Sequence, residues 1–204
     1  LYYAVLALIF FVGPILAWSP TWVEAVRRDQ WFYWLYVANW SDPFGRGIPG
    51  LQHFWSLAVE EQFYFVWPLI VLVTRRRQLK ALCAVLIVVT PFIRLGLRLS
   101  GLPVEAAYTF TVARWDALAA GALVACLIRD ASGRDLLMRW RAPVAWLTGT
   151  ILVVLVAVLH GFHQNDLIVQ IVGQTLCAVL SAVLICYAVD NGSTAPRRLQ
   201  AALS

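Results

Sequence analysis

Apolar residues run along this chain in long blocks separated by short polar turns rich in arginine, and the blocks are longer than a globular core requires. They cover residues 1–18, 54–74, 79–97, 108–128, 142–162 and 167–189. Each is close to the roughly 20 residues that a helix rising about 1.5 Å per residue needs to cross a bilayer. The pattern predicts six spans and an all-α, polytopic transmembrane helix bundle, read as a single domain over residues 1–204. A seventh apolar piece, residues 31–40, is too short to cross. It runs into SDPFGRGIPG, whose glycines and prolines break a helix, and is read as re-entrant or interfacial.

The polar turns set an orientation. Arg75, Arg76, Arg77 and Lys80 fill one, Arg129, Arg134, Arg139 and Arg141 another, and Arg197 and Arg198 follow the last block. If every block crosses once, all three lie on one side, which the positive-inside rule makes cytoplasmic. Six of the tryptophans, Trp18, Trp22, Trp31, Trp34, Trp40 and Trp55, then fall on the other side and read as an aromatic belt, or as faces for sugar rings.

Composition agrees: 61% of residues are hydrophobic, 13% are charged and the mean hydropathy is +0.74, outside the range of an ordinary soluble domain. The net charge of +5 sits in the loops, so it reports topology and implies no nucleic-acid partner; the partner implied is the lipid bilayer. Cys83, Cys126, Cys177 and Cys186 lie inside apolar blocks at no metal or disulfide spacing, and His160, His163 and Asp166 read as a polar interfacial turn, so no metal is predicted. The chain opens on Leu1 inside an apolar block and closes just after a basic stretch, the pattern of an internal fragment that continues at both ends.

The chemistry lies in the charges within the blocks. HFWSLAVEEQFYFVWPL (53–69) carries adjacent glutamates, and helical phase puts Ser56, Glu60 and Tyr64 on one stripe and Leu57, Glu61 and Phe65 on the next. Pro68 predicts a kink below them. YTFTVARWDALAAGALVA (108–125) carries Arg114 and Asp116, with Ala117, Gly121 and Ala125 as a ridge of small residues that a neighbouring helix can approach. Glu60 and Arg114 each fall about 10 Å below the outer end of their block, so they are expected to meet or to share a polar cavity. Arg94 and Arg98 are near a membrane end and read as snorkelling to headgroups, while Gln170, Gln174 and Thr175 read as interhelical hydrogen bonders. Polar groups at a common depth also describe a transporter or flippase, the alternative reading.

The run WSLAVEEQFYFVWP (55–68), with His53 ahead of it, closely resembles the signature of acyltransferase family 3, integral-membrane enzymes that O-acylate surface polysaccharides and related acceptors. RWDALAAGALVA resembles a later helix of that family, and LYY at the start its third span. The resemblance implies an acyltransferase of a bacterial inner membrane, with acyl-CoA, usually acetyl-CoA, as donor, no bound cofactor, and a carbohydrate or lipid-linked hydroxyl as acceptor. Carried over by position, it implies catalytic roles for Glu60, Arg114 and His53, and substrate binding by Ser56, Gln62, Tyr64 and Asp116; Asn39 is a further expected substrate-binding residue. It further implies an earlier span bearing the family histidine and a later span with Tyr-Leu-x-His, so that residues 1–204 alone are expected to be inactive.

Overall fold

The computed structural model describes the backbone of residues 1–16 and 19–203 and the side chains of those up to Val189, so Trp18, Arg197 and Arg198 lie outside the described side chains. Among the described residues the chain is mostly helical, without strands, and forms the expected all-α polytopic membrane bundle. Its α-helices among the described residues are, in order, α1 (Tyr2–Ile15), α2 (Pro20–Trp34), α3 (Ala38–Ser41), α4 (Phe54–Val73), α5 (Arg76–Leu99), α6 (Ala106–Thr109), α7 (Trp115–Ile128), α8 (Ala131–Val158) and α9 (Gln174–Leu203). Among the described residues, five segments are long and apolar enough to cross a membrane: α4, α5, α7 with its leading turn from Thr111, α8, and Val169–Val189. The first block is shorter than the six-span reading expects, an apolar helix ending at Ile15. Outward-facing apolar side chains such as Leu72, Val73 and Trp146, each more than three-quarters exposed, suit a hydrocarbon surround.

The residues group into two units, Leu1–Val73 with Gly96–Arg114, and Thr74–Leu95 with Trp115–Ser204. In the first, α1, α2 and the start of α4 share a core of Leu6, Phe10, Trp22, Val26, Tyr33 and Phe54. Of the piece 31–40 read as re-entrant or interfacial, residues 38–40 lie in α3, 35–37 form a turn and 31–34 are the last turn of α2. Ser19 caps it by accepting from the Trp22 amide, Pro20 occupies its first position, and it stops at Trp34. Trp22 is buried with its Nε1 donating to the Pro49 carbonyl, and half-buried Trp34 packs against Tyr3, Phe10 and Phe11.

The glycine- and proline-rich loop after α3 is strapped to α2. Buried Asp29 accepts ion pairs from Arg28 at 2.7 Å and Arg46 at 2.9 Å, and Ile48 N donates to the Tyr33 hydroxyl at 2.9 Å. Beneath the strap both oxygens of Asp42 are enclosed without a hydrogen bond of ordinary geometry, and a Cβ at Gly47 would come within 3.0 Å of one. Burial pushes this carboxyl up to about 7, with the nearby Tyr33 hydroxyl pulling slightly the other way.

In the second unit, α7 packs through Ala120 and Val124 against Ala182 and Cys186 of α9. The expected ridge of Ala117, Gly121 and Ala125 is rotated off this contact: Ala117 and Ala125 are exposed, and a Cβ on Gly121 would meet nothing. At one end, Asp130 is bonded by Lys80 and by Arg76, the latter at 2.6 Å, and these cations hold its carboxyl below the usual range.

Candidate functional site

The two motifs that carry the family resemblance meet in the first unit through a closed set of amides. Gln62, midway along α4, donates from Nε2 to the Tyr36 carbonyl at 2.6 Å and to Asn39 Oδ1 at 2.9 Å. Its Oε1 accepts from Trp40 Nε1 at 3.4 Å and from the Thr111 hydroxyl. Asn39, fully buried, donates to the Thr109 carbonyl at 3.3 Å and to Thr111 Oγ1 at 3.0 Å. Thr111 thus donates to one amide and accepts from the other, and both N–H bonds of each amide are used. Burying such groups is tolerable only because they are bonded.

The backbone is shaped to complete this set. Tyr36 has a left-handed conformation, φ 54°, at a cost of roughly 1–2 kcal/mol for an L-residue. That turn closes α2 with a bond from the Val37 amide to the Phe32 carbonyl at 2.8 Å, and it leaves the Tyr36 carbonyl bonded to Gln62.

Trp55 is seven residues before Gln62 and so lies on the same face of α4. The Arg114 guanidinium is 4.9 Å from the Trp55 ring centroid and 4.4 Å from that of Tyr108, and the two rings meet edge to face at 5.0 Å. A planar cation between aromatic faces is attracted by both ring quadrupoles and held in orientation. The arginine reaches this notch because the expected continuous helix over 108–128 is broken. Phe110 is extended, ψ 139°, and residues 111–114 form a separate tight turn before α7 begins at Trp115. Beside the notch Trp40 stacks on buried Phe110 at 4.4 Å.

The glutamates stand apart from this cluster. Glu60 is exposed and forms no hydrogen bond or ion pair with a described residue, so the expected meeting with Arg114 is not made. At about 100° per residue, Glu60 is turned roughly 140° around α4 from Trp55, the ring that engages the arginine. Glu61 has the Tyr36 phenol within its field: burial, then Tyr3, then Glu61 push that phenol up to about 12.

His53 precedes α4, exposed, with its ring 4.9 Å from that of Phe54, and its carbonyl accepts from Ser56 Oγ at 3.1 Å. Seven residues of sequence separate it from Glu60, and it lies outside the helix that carries Glu60. Tyr64 is exposed.

Asp116 belongs to a different arrangement, in the second unit. Its Oδ1 pairs with Arg94 Nη2 at 2.6 Å and its Oδ2 accepts from the Thr175 hydroxyl at 2.6 Å, while Thr175 accepts from Arg94 Nη1 at 3.0 Å. Neither charged side chain is exposed. Arg94 therefore does not snorkel: pairing inside the bundle offsets the cost of leaving its charge among apolar helices. Thr175 is the interhelical hydrogen bonder its sequence context suggests. The loop pair His163 and Asp166 approach at 3.8 Å, and no group of three metal-ligating side chains occurs among the described residues.

Three curated relatives place this geometry in context. The chain is 35% identical over 76 residues to the O-acetyltransferase OatA of Staphylococcus aureus, a match covering 32% of this chain and 13% of the relative. It is 40% identical over 63 residues to the peptidoglycan O-acetyltransferase OatA of Listeria monocytogenes, covering 26% and 10%. Over 45 residues it is 40% identical to the putative peptidoglycan O-acetyltransferase YrhL of Bacillus subtilis, covering 22% and 7%. The matches thus span about a tenth of the length of these relatives. No family model matches the chain, and no solved structure matches it.

Proposed function

We propose that this chain is part of one transmembrane domain of a membrane O-acyltransferase, of the acyltransferase family 3 kind, that moves an acetyl group from acetyl-CoA to a hydroxyl of an exported or cell-surface carbohydrate. The observation that carries the reading is the joining of its two motifs: Trp55 and Gln62 of the first hold Arg114 and Thr111 of the second. The partial likeness to O-acetyltransferases, two of them named for peptidoglycan, supports the reaction class and a glycan acceptor. The basic loops suit a cytoplasmic side of a bacterial inner membrane, with the acceptor on the other side.

In the transfer, the acceptor oxygen attacks the thioester carbonyl, its proton passes to a base, and the C–S bond breaks to release the CoA thiolate, which is then protonated. Arg114, fixed between two rings, offers positive charge to the developing oxyanion or to a donor phosphate. Glu60, exposed and uncommitted within the described residues, is available to charge-stabilise and orient an imidazole that takes the proton, either His53 or a histidine elsewhere in the protein. Asn39 and Gln62, whose N–H groups are fully used within the protein, act as positioning residues under Trp40 and Arg114. Asp116 acts through its pair with Arg94, at the head of the helix that follows Arg114. Ser56 and Tyr64, on the Glu60 stripe, are assigned to acceptor binding. Replacing Arg114 or Glu60 in the full-length protein and measuring acetyl transfer tests these assignments.

A further inference from the structure

Trp40 and Phe44 form an aromatic step in the first unit, where α3 runs into the glycine- and proline-rich loop. Buried Phe110 is the base of the step. The Trp40 ring stacks on it with centroids 4.4 Å apart and planes 28° from parallel, and the Phe44 ring tilts against it at 6.4 Å. Trp40 is still 40% exposed and Phe44 54%. One indole face is taken by Phe110 and the indole N–H by Gln62 Oε1 at 3.4 Å, so Trp40 presents its other face outward at a fixed tilt.

A tryptophan that only anchors a chain at the membrane interface keeps its N–H at the wet side, for water or lipid carbonyls. Here the N–H is turned inward to a protein side chain. The chain continues from Trp40 through Ser41 and Asp42 into a loop whose Gly45, Arg46, Pro49 and Gly50 are exposed, which puts the open face at a polar edge of the unit.

We propose that Trp40, flanked by Phe44, is a carbohydrate subsite on which one pyranose ring of the glycan acceptor stacks. This rests on the reading of the acceptor as a glycan and adds where its chain is gripped. A β-linked pyranose with equatorial substituents shows axial C–H groups on both faces, an apolar and slightly positive surface that matches the negative face of a π-system. The indole offers the strongest such face of the aromatic side chains, and little order is left to impose on it because Phe110 and Gln62 already hold it.

The position suits a unit of the chain next to the one that reacts. Phe110 opens the tight turn that ends at Arg114, and at about 2 Å per residue the base of the step is ~8 Å along the backbone from that arginine. Ser56 and Tyr64 stand on another side of α4, about one helix diameter or ~10 Å across. Stacking on Trp40 thus supplies remote binding energy that positions a neighbouring hydroxyl.

The test uses the full-length protein in detergent, labelled with fluorotryptophan, and chitotetraose as the glycan probe. The fluorine resonance absent from Trp40→Phe identifies Trp40. Adding chitotetraose should shift that resonance in the parent. Trp40→Leu, which keeps an apolar side chain without a π face, should bind chitotetraose about ten-fold more weakly than the parent, with Trp40→Phe in between. A Trp40 resonance that chitotetraose leaves in place, or Trp40→Leu binding as tightly as the parent, overturns the proposal; a step covered by another helix of the full chain produces the first of these results. The shift is read in the parent, so the proposal remains falsifiable if Trp40→Leu fails to fold. Because both readouts are of binding, they separate from the reaction: absence of acetyl transfer by the parent overturns the acyltransferase reading, whereas transfer by a parent whose Trp40 resonance stays in place overturns the subsite alone.

Discussion

Gln62 donates to Asn39 Oδ1 across 23 residues of sequence, 2.9 Å apart, and the same two side chains each bond to Thr111. Three segments, α3, α4 and the turn before α7, are thereby fixed to one another at the place where Arg114 is presented. Gln62→Ala leaves the Asn39 oxygen, the Thr111 hydroxyl and the Tyr36 carbonyl without their partner. It should cost about 1–3 kcal/mol and lower the melting temperature of the purified protein. An unchanged melting temperature would mean that water replaces the amide freely and that the set is not structural.

Arg114 is held by ring faces, which a flat guanidinium stacks on and a compact ammonium does not. Arg114→Lys in the full-length protein keeps the charge and loses the stacking, and should reduce acetyl transfer by about ten-fold or more at equal membrane abundance. Activity equal to that of the parent would show that charge alone suffices.

The Arg94 and Asp116 pair calls for a double-mutant cycle. Removing either partner alone leaves a buried charge and should cost about 3–5 kcal/mol, whereas Arg94→Met with Asp116→Ala should cost much less than the sum. Additive losses in melting temperature would contradict a direct pairing.

How far the sequence discloses this architecture depends on the range of the forces involved. The span 54–73 is legible to within one residue, because hydropathy is a local property. The break at Phe110 is not, since the apolar run continues through it; the aromatic and β-branched residues of YTFTV, weak helix formers, are the signal available. Arg94 could not be told from a snorkelling arginine, because its partners lie 22 and 81 positions away. The Gln62 and Asn39 side chains can be picked out as polar residues among apolar ones, but their pairing is a tertiary fact. The start of α2 was within reach, since Ser19-Pro20 is a cap followed by a first-turn proline.

Asp42 makes the loop strap sensitive to pH. An unfolded aspartate ionises near 4 and this one near 7, so between those values the folded state keeps a proton that the unfolded state releases. Stability contributed here is full below about pH 4, falls as pH rises and levels off above 7. Asp42→Asn should flatten this slope and raise the melting temperature at pH 8 relative to the parent. A slope that persists in the variant would assign the effect to another group.

Acetyl groups released from the cell-surface glycan of cells expressing the full-length protein, with and without Glu60→Gln at matched membrane abundance, measure the central claim directly. If Glu60 serves acyl transfer, the variant should lose acetylation by about 100-fold or more. Acetylation at the parental level in Glu60→Gln would contradict that role.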